Sequence, residues 1–179
     1  YFRVYINIAA LPSDANTVIS ETYLNGATNG GNKLYLNTDG TLSLYGFNGV
    51  NFTLIGSSSA LSTGVWYRIE LYTDLSTATH GFQGRLDGVE FANSTIVRVA
   101  SGTLDSYGLN IYTYYPTTLA GGNATADIYY DDIAVNSSAG VVQDTWAGEG
   151  KIVLAVPTGA GDNAADQGSV DAANTAISD

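Results

Sequence analysis

Alternation with a period of two is the feature that most restricts what this chain can become. Near its start Phe2, Val4, Ile6 and Ile8 alternate with Arg3, Tyr5 and Asn7, the pattern of a strand that buries one face and wets the other. The rhythm returns at Leu34 and Leu36 against Lys33, Tyr35 and Asn37, and at Leu42 and Leu44. It continues at Ile69, Leu71 and Thr73, at Phe82, Gly84 and Leu86, and at Leu109, Ile111 and Thr113 against Asn110, Tyr112 and Tyr114. Phe52, Leu54 and Gly56 read as one more short strand. Between the runs stand Asn25-Gly26, Asp39-Gly40, Asn48-Gly49 and Asp87-Gly88, pairs that take positive φ readily and so close hairpins. Up to Val135 no ten residues carry a helical period free of Gly or Pro. Ten or so short strands of this kind predict an all-β fold, an antiparallel two-sheet sandwich over residues 1–136.

Residues 137–179 have a different character. Ser137-Ser138-Ala139-Gly140 reads as a linker, a polar stretch surrounds Trp146, and residues 151–156 read as a strand with Ile152, Val153, Leu154 and Val156 asking for cover on both faces. Pro157 ends any ladder there. The last stretch, from Thr158 to Asp179, holds four Asp, no Lys or Arg, and little but Ala, Gly and Asn to bury. Such a segment cannot offset its own ordering entropy. It is therefore expected to be an extended, acidic Ala/Gly/Asp-rich arm used in assembly, with Trp146, Ile152, Leu154 and Val156 meeting another chain. Opening within a strand and without Met, the sequence also reads as a piece of something longer.

Charge and composition exclude several classes. Six Lys and Arg against 17 Asp and Glu give a net charge of −11, which opposes binding to nucleic-acid phosphates or to an anionic membrane. No apolar run is long enough to span a bilayer. The absence of Cys removes disulfides, thiolate zinc sites and cysteine nucleophiles together. Glu occurs only at 21, 70, 90 and 149, and Glu70 and Asp74, on one strand face, would stand about 13 Å apart. That is too far for the two carboxyls of glycoside hydrolysis, so the chain is read as a non-enzyme. The single histidine, His80, follows a Thr-rich stretch and is expected to be a solvated loop residue.

Two features suggest binding. Tyr35, Tyr45, Tyr72, Tyr112 and Tyr114 fall opposite the Leu/Ile faces of their strands, with Asn110 beside the last two. Rings next to amides suit the C–H face and hydroxyls of a sugar, and they suit a protein interface or inter-sheet packing as well. The second feature is a parity break at Asp131-Asp132: Ile128 and Tyr130 share one face, Ile133 and Val135 the other. Either a β-bulge intervenes, or Asp131 turns toward the sandwich edge and needs a cation. Otherwise Asp131 pairs with Arg3, Arg68 or backbone N–H groups.

Three motifs, in order, resemble a known family. They are Trp66-Tyr67-Arg68-Ile69-Glu70-Leu71, the hairpin Arg85-Leu86-Asp87-Gly88-Val89, and Ile128-Tyr129-Tyr130-Asp131-Asp132-Ile133-Ala134-Val135. Together they resemble the W-x-x-I/V-x-L strand, the V-D-G hairpin and the closing D-D/E-I/V-x-V strand of LamG-like domains, which belong to the concanavalin A-like jelly rolls. The following segment, Trp146-Ala147-Gly148-Glu149-Gly150-Lys151-Ile152-Val153-Leu154 with Pro157-Thr158-Gly159-Ala160-Gly161-Asp162-Asn163, is similar to what trails such domains in tailed-phage virion proteins. The resemblance implies a jelly roll with its first strand upstream of Tyr1, and a structural Ca²⁺ at Asp131. Glucanases of that fold carry an E-x-D-x-E strand, which this chain lacks. The function expected is a structural, decoration or fibre-type protein on a phage capsid or tail surface, partnered by other copies or neighbouring virion proteins. The alternative is an extracellular carbohydrate-binding module or adhesin that takes a surface glycan on its outward tyrosines.

Overall fold

The computed structural model describes residues 1–13, 16–24, 31–75, 78–97, 107–110, 126–136 and 145–149. All regular structure among them is β: β1 (Phe2–Ala10), β2 (Thr17–Leu24), β3 (Asn32–Leu36), β4 (Leu42–Phe47), β5 (Phe52–Ser57), β6 (Trp66–Asp74), β7 (Thr79–Leu86), β8 (Val89–Val97), β9 (Tyr107–Asn110) and β10 (Asp127–Val135). They form two antiparallel sheets, ordered β10-β1-β6-β7-β8 and β5-β4-β3-β2-β9. The first sheet brings the first and last of the described strands together at β1 and β10.

The alternation read from the sequence sets the faces. Val4, Ile6 and Ile8 of β1 point inward with Ile69 and Leu71 of β6 and Phe82 of β7, against Ile19, Leu34, Leu36, Leu42 and Leu44 of the second sheet. Each fully buried aliphatic side chain contributes roughly 1.5–3 kcal/mol, so this interleaved layer is the main source of stability. The sheets approach closely where β4 and β5 face β7 and β8. A Cβ on Gly46 would meet the Phe82 ring at 2.7 Å, and one on Gly56 the Phe91 carbonyl at 2.6 Å. Cross-sheet hydrogen bonds tie other places: Asn32 Nδ2 donates to Thr73 Oγ1, and Tyr130 Oη donates to the Ile19 carbonyl at 3.4 Å.

The Asp-Gly turns close as expected, by two different geometries. At Asp87-Gly88 both residues have positive φ, 51° and 85°, a two-residue primed turn between Leu86 and Val89. In the β3–β4 hairpin Gly40 alone does so (φ 83°). There Asp39 Oδ1 accepts from both the N–H and the hydroxyl of Thr41. Asn25-Gly26 lies outside the described residues.

Among the described strands the register shifts at five places, and three of the shifts re-aim side chains. In β5 the register shifts between Leu44 and Tyr45, so Ile55 packs on the core and Leu54 is exposed. In β8 it shifts between Gly84 and Arg85, and the Phe91 ring comes to lie against Gly84. In β10 it shifts opposite Arg3 and Tyr5, with Asp132 at φ 45°. The expectation for His80 is corrected. It is 0% exposed, on β7, facing inward near Phe82 at 6.1 Å between ring centroids, because it shares the parity of Phe82 and the loop ends before it.

Candidate functional site

The outward face of the first sheet carries the densest polar cluster among the described residues. Arg3 of β1 and Glu70 of β6 are register partners, and both are buried, although they stand on the face away from the core. What lies over them is residues 145–149. Gly148 N–H donates to Glu70 Oε1 at 2.8 Å, and Arg3 Nη1 donates to the carbonyls of Gly148 at 3.0 Å and Ala147 at 3.5 Å. Arg3 Nη2 reaches Asp132 Oδ1 at 2.7 Å. Arg68 pairs with Glu70 at 3.3 Å and with the exposed Glu149 at 3.7 Å. Arg3 and the buried Glu70 thus find partners in the backbone that crosses them, and Arg68 in two carboxylates, which is how charge is buried without a large penalty.

Trp146 supplies the apolar half of this clasp. Its ring meets Tyr1 edge-on at 5.2 Å and Tyr72 at 6.4 Å, while Tyr1 and Tyr72 touch at 4.9 Å. The Arg85 guanidinium lies 4.1 Å from the Trp146 ring centroid, well inside cation–π range. Asn136 anchors the near end, exchanging two backbone hydrogen bonds with Tyr1 and donating from Nδ2 to the Thr145 carbonyl at 3.4 Å. Trp146, expected to serve assembly with another chain, is seated on its own sandwich. The other assembly candidates, Ile152, Leu154 and Val156, lie outside the described residues.

The expected tyrosine platform is divided. Tyr35 and Tyr45 stand on the outward face of the second sheet, packed edge-to-face at 5.2 Å. In the register row of Tyr45 follow Lys33, Glu21 and the backbone of Asn110, with Lys33 bridging Glu21 at 3.1 Å and covering the Phe52 ring at 4.6 Å. Tyr72 is on the first sheet, beneath Trp146. Burial, and then the Asp74 carboxylate, raise its phenol above the ordinary value. Six residues expected to form one platform therefore include members on two different sheets. Tyr112 and Tyr114 lie outside the described residues.

At Asp131 the bulge resolves the parity break. Asp131 is exposed opposite Tyr5 on the outward face, and its Oδ1 accepts the Asp132 N–H at 2.7 Å. The neighbouring Asp132, not Asp131, holds Arg3. The described residues gather no group of three metal-ligating side chains. Asp131 thus turns out of the sandwich edge, toward the outward face.

Two of the four glutamates are accounted for by packing. Glu21 and Glu70 are buried beside Lys33 and Arg68, one on each sheet. The parts of the clasp that sequence reasoning missed, Arg3, Glu70 and Arg85, carried a signal nonetheless. They are charged residues at outward positions of adjacent strands, near a lone Trp in an otherwise polar stretch. A scan against protein-family models and a search of curated proteins return no match for this chain.

Proposed function

We propose that this chain is a non-catalytic display module: a LamG-like, concanavalin A-like jelly roll carried on the surface of a phage particle, with the segment beyond residue 149 joining it to its neighbours. The observation that carries the reading is the clasp. Residues 145–149 are fastened across the sheet by Trp146, Arg3 and Glu70, so this segment is held at a fixed place and in a fixed direction on the sandwich. That is what a module held out from a larger assembly requires. The placement of the three motifs supports the family reading: the Trp66 strand is β6, the Asp87-Gly88 hairpin joins β7 to β8, and the Asp131-Asp132 strand is β10, all in one sheet around β1. The ion-paired burial of Glu21 and Glu70 supports the non-catalytic part, since neither carboxylate is open to a substrate.

The test is the peptide inventory of purified particles by mass spectrometry, followed by immunogold labelling with an antibody to the sandwich. Peptides of this chain in intact particles, and gold on the particle surface, are the expected result. A chain recovered only from the extracellular fraction, never with particles, would overturn the reading in favour of a free carbohydrate-binding module.

A further inference from the structure

The clasp leaves part of the first sheet's outward face open, and an aligned row of side chains stands there. Asn7 of β1 is the register partner of Tyr129 on β10 and of Trp66 on β6, so the three share one face in one line across three strands. Trp66 is 48% exposed and Tyr129 60%. Their backbones lie two strand spacings apart, about 9.5 Å, with the half-buried Asn7 between them. The next row is Asp131, Tyr5 and Arg68, in which Asp131 is exposed and Arg68 is engaged by Glu70 and Glu149.

A single exposed ring needs no explanation. Two large rings flanking an amide, with the exposed Asp131 carboxylate one row away, form a pattern of defined chemistry. We propose that Trp66, Asn7 and Tyr129 form a binding site for a neutral glycan chain. Each ring offers a flat apolar face to the C–H side of a pyranose, and the Asn7 amide, which both donates and accepts, meets the hydroxyls between them. Asp131 adds an acceptor at the flank. The polar group in the middle of the row argues against an apolar peptide, which would leave that amide without a partner.

Charge selects within the sugars. The chain carries a net charge of −11; on this face Arg3 and Arg68 are paired with Asp132, Glu70 and Glu149, and Arg85, on β7, lies against the Trp146 ring. Asp131 therefore faces the ligand without a compensating cation beside it among the described residues, and an anionic glycan is repelled. This site stands independently of where the protein is carried, and it uses none of the tyrosines that the sequence had nominated.

The experiment titrates the full chain with hexaoses of β-1,4-glucan, α-1,4-glucan, β-1,4-mannan and β-1,4-galactan, and with sialyllactose as the anionic probe. Binding is read by calorimetry and by ligand-observed saturation-transfer NMR. At least one neutral hexaose is expected to bind and sialyllactose to fail. Trp66→Ala and Tyr129→Ala should each weaken binding by about tenfold while leaving the thermal midpoint in place, and Trp66→Phe should retain most of the affinity. The proposal is overturned by absence of binding to every neutral hexaose at millimolar concentration, by binding that both alanine variants leave intact, or by preference for sialyllactose. Self-association of the chain that Trp66→Ala abolishes, without sugar binding, would overturn it too and make the row an interface between copies.

Discussion

Tyr130 shows how a single side chain joins the two sheets and sets a pH limit. It lies on the inward face of β10 opposite Ile6 and donates to the Ile19 carbonyl of the other sheet. Burial pushes its phenol up to about 12 from the ordinary 10. A raised folded-state pKa on an acid means that the fold favours the neutral form. The contribution is intact below about pH 10 and is lost as pH climbs from there toward 12. Tyr130→Phe should flatten the alkaline fall in thermal midpoint over that window, and absorbance titration of the wild type should show one phenol ionising last. Asp39 works in the opposite direction. The N–H and then the hydroxyl of Thr41 hold its carboxylate below the ordinary value near 3.8. Its stabilisation is present above that range and disappears as pH falls through the lowered value. Urea midpoints of wild type and Asp39→Asn should therefore differ at neutral pH and converge in acid. His80 marks the limit of residue-scale reading from sequence. Its composition signal, the Thr-rich stretch before it, outweighed the parity it shares with Phe82, which was the physically decisive cue.

At the scale of elements, strands and hairpins were legible because a half-buried strand and a positive-φ turn each impose a local residue pattern. The ladder through Phe2, Val4, Ile6 and Ile8 and the Asp87-Gly88 turn illustrate this. Bulges were legible only in part, since an extra residue is chosen by the partner strand. Asp132 announces its bulge only as a parity break, and nothing in β5 alone tells that Ile55 rather than Leu54 packs on the core. The clasp was half legible. A lone Trp in a polar stretch signalled docking, but the surface that receives it is assembled from Tyr1, Tyr72 and Arg85, which come together only once β1, β6 and β7 pair. Trp146→Ala should cost about 1–2 kcal/mol in urea unfolding. It should also speed limited proteolysis around residues 145–149 well before the sandwich unfolds.

Across the whole molecule, the two sheets are as close as their glycines permit. Gly46 stands where any side chain would strike the Phe82 ring, so Gly46→Ala should destabilise the protein by about 1–3 kcal/mol through overpacking, measurable as a lower denaturation midpoint. The pairing of β1 with β10 also has a mechanical consequence. Tyr1 and Asn136 exchange hydrogen bonds at one end of that ladder, so tension applied to the chain at these two residues would peel β1 from β10 one rung at a time. The 145–149 segment redirects that load. A pull arriving from beyond residue 149 is taken first by the Arg3 and Glu70 bonds and the Trp146 seat, which anchor on three strands at once. The ladder is then spared until those anchors give way together, and the protein resists stretching in a way that its hydrogen-bonded edge alone would not.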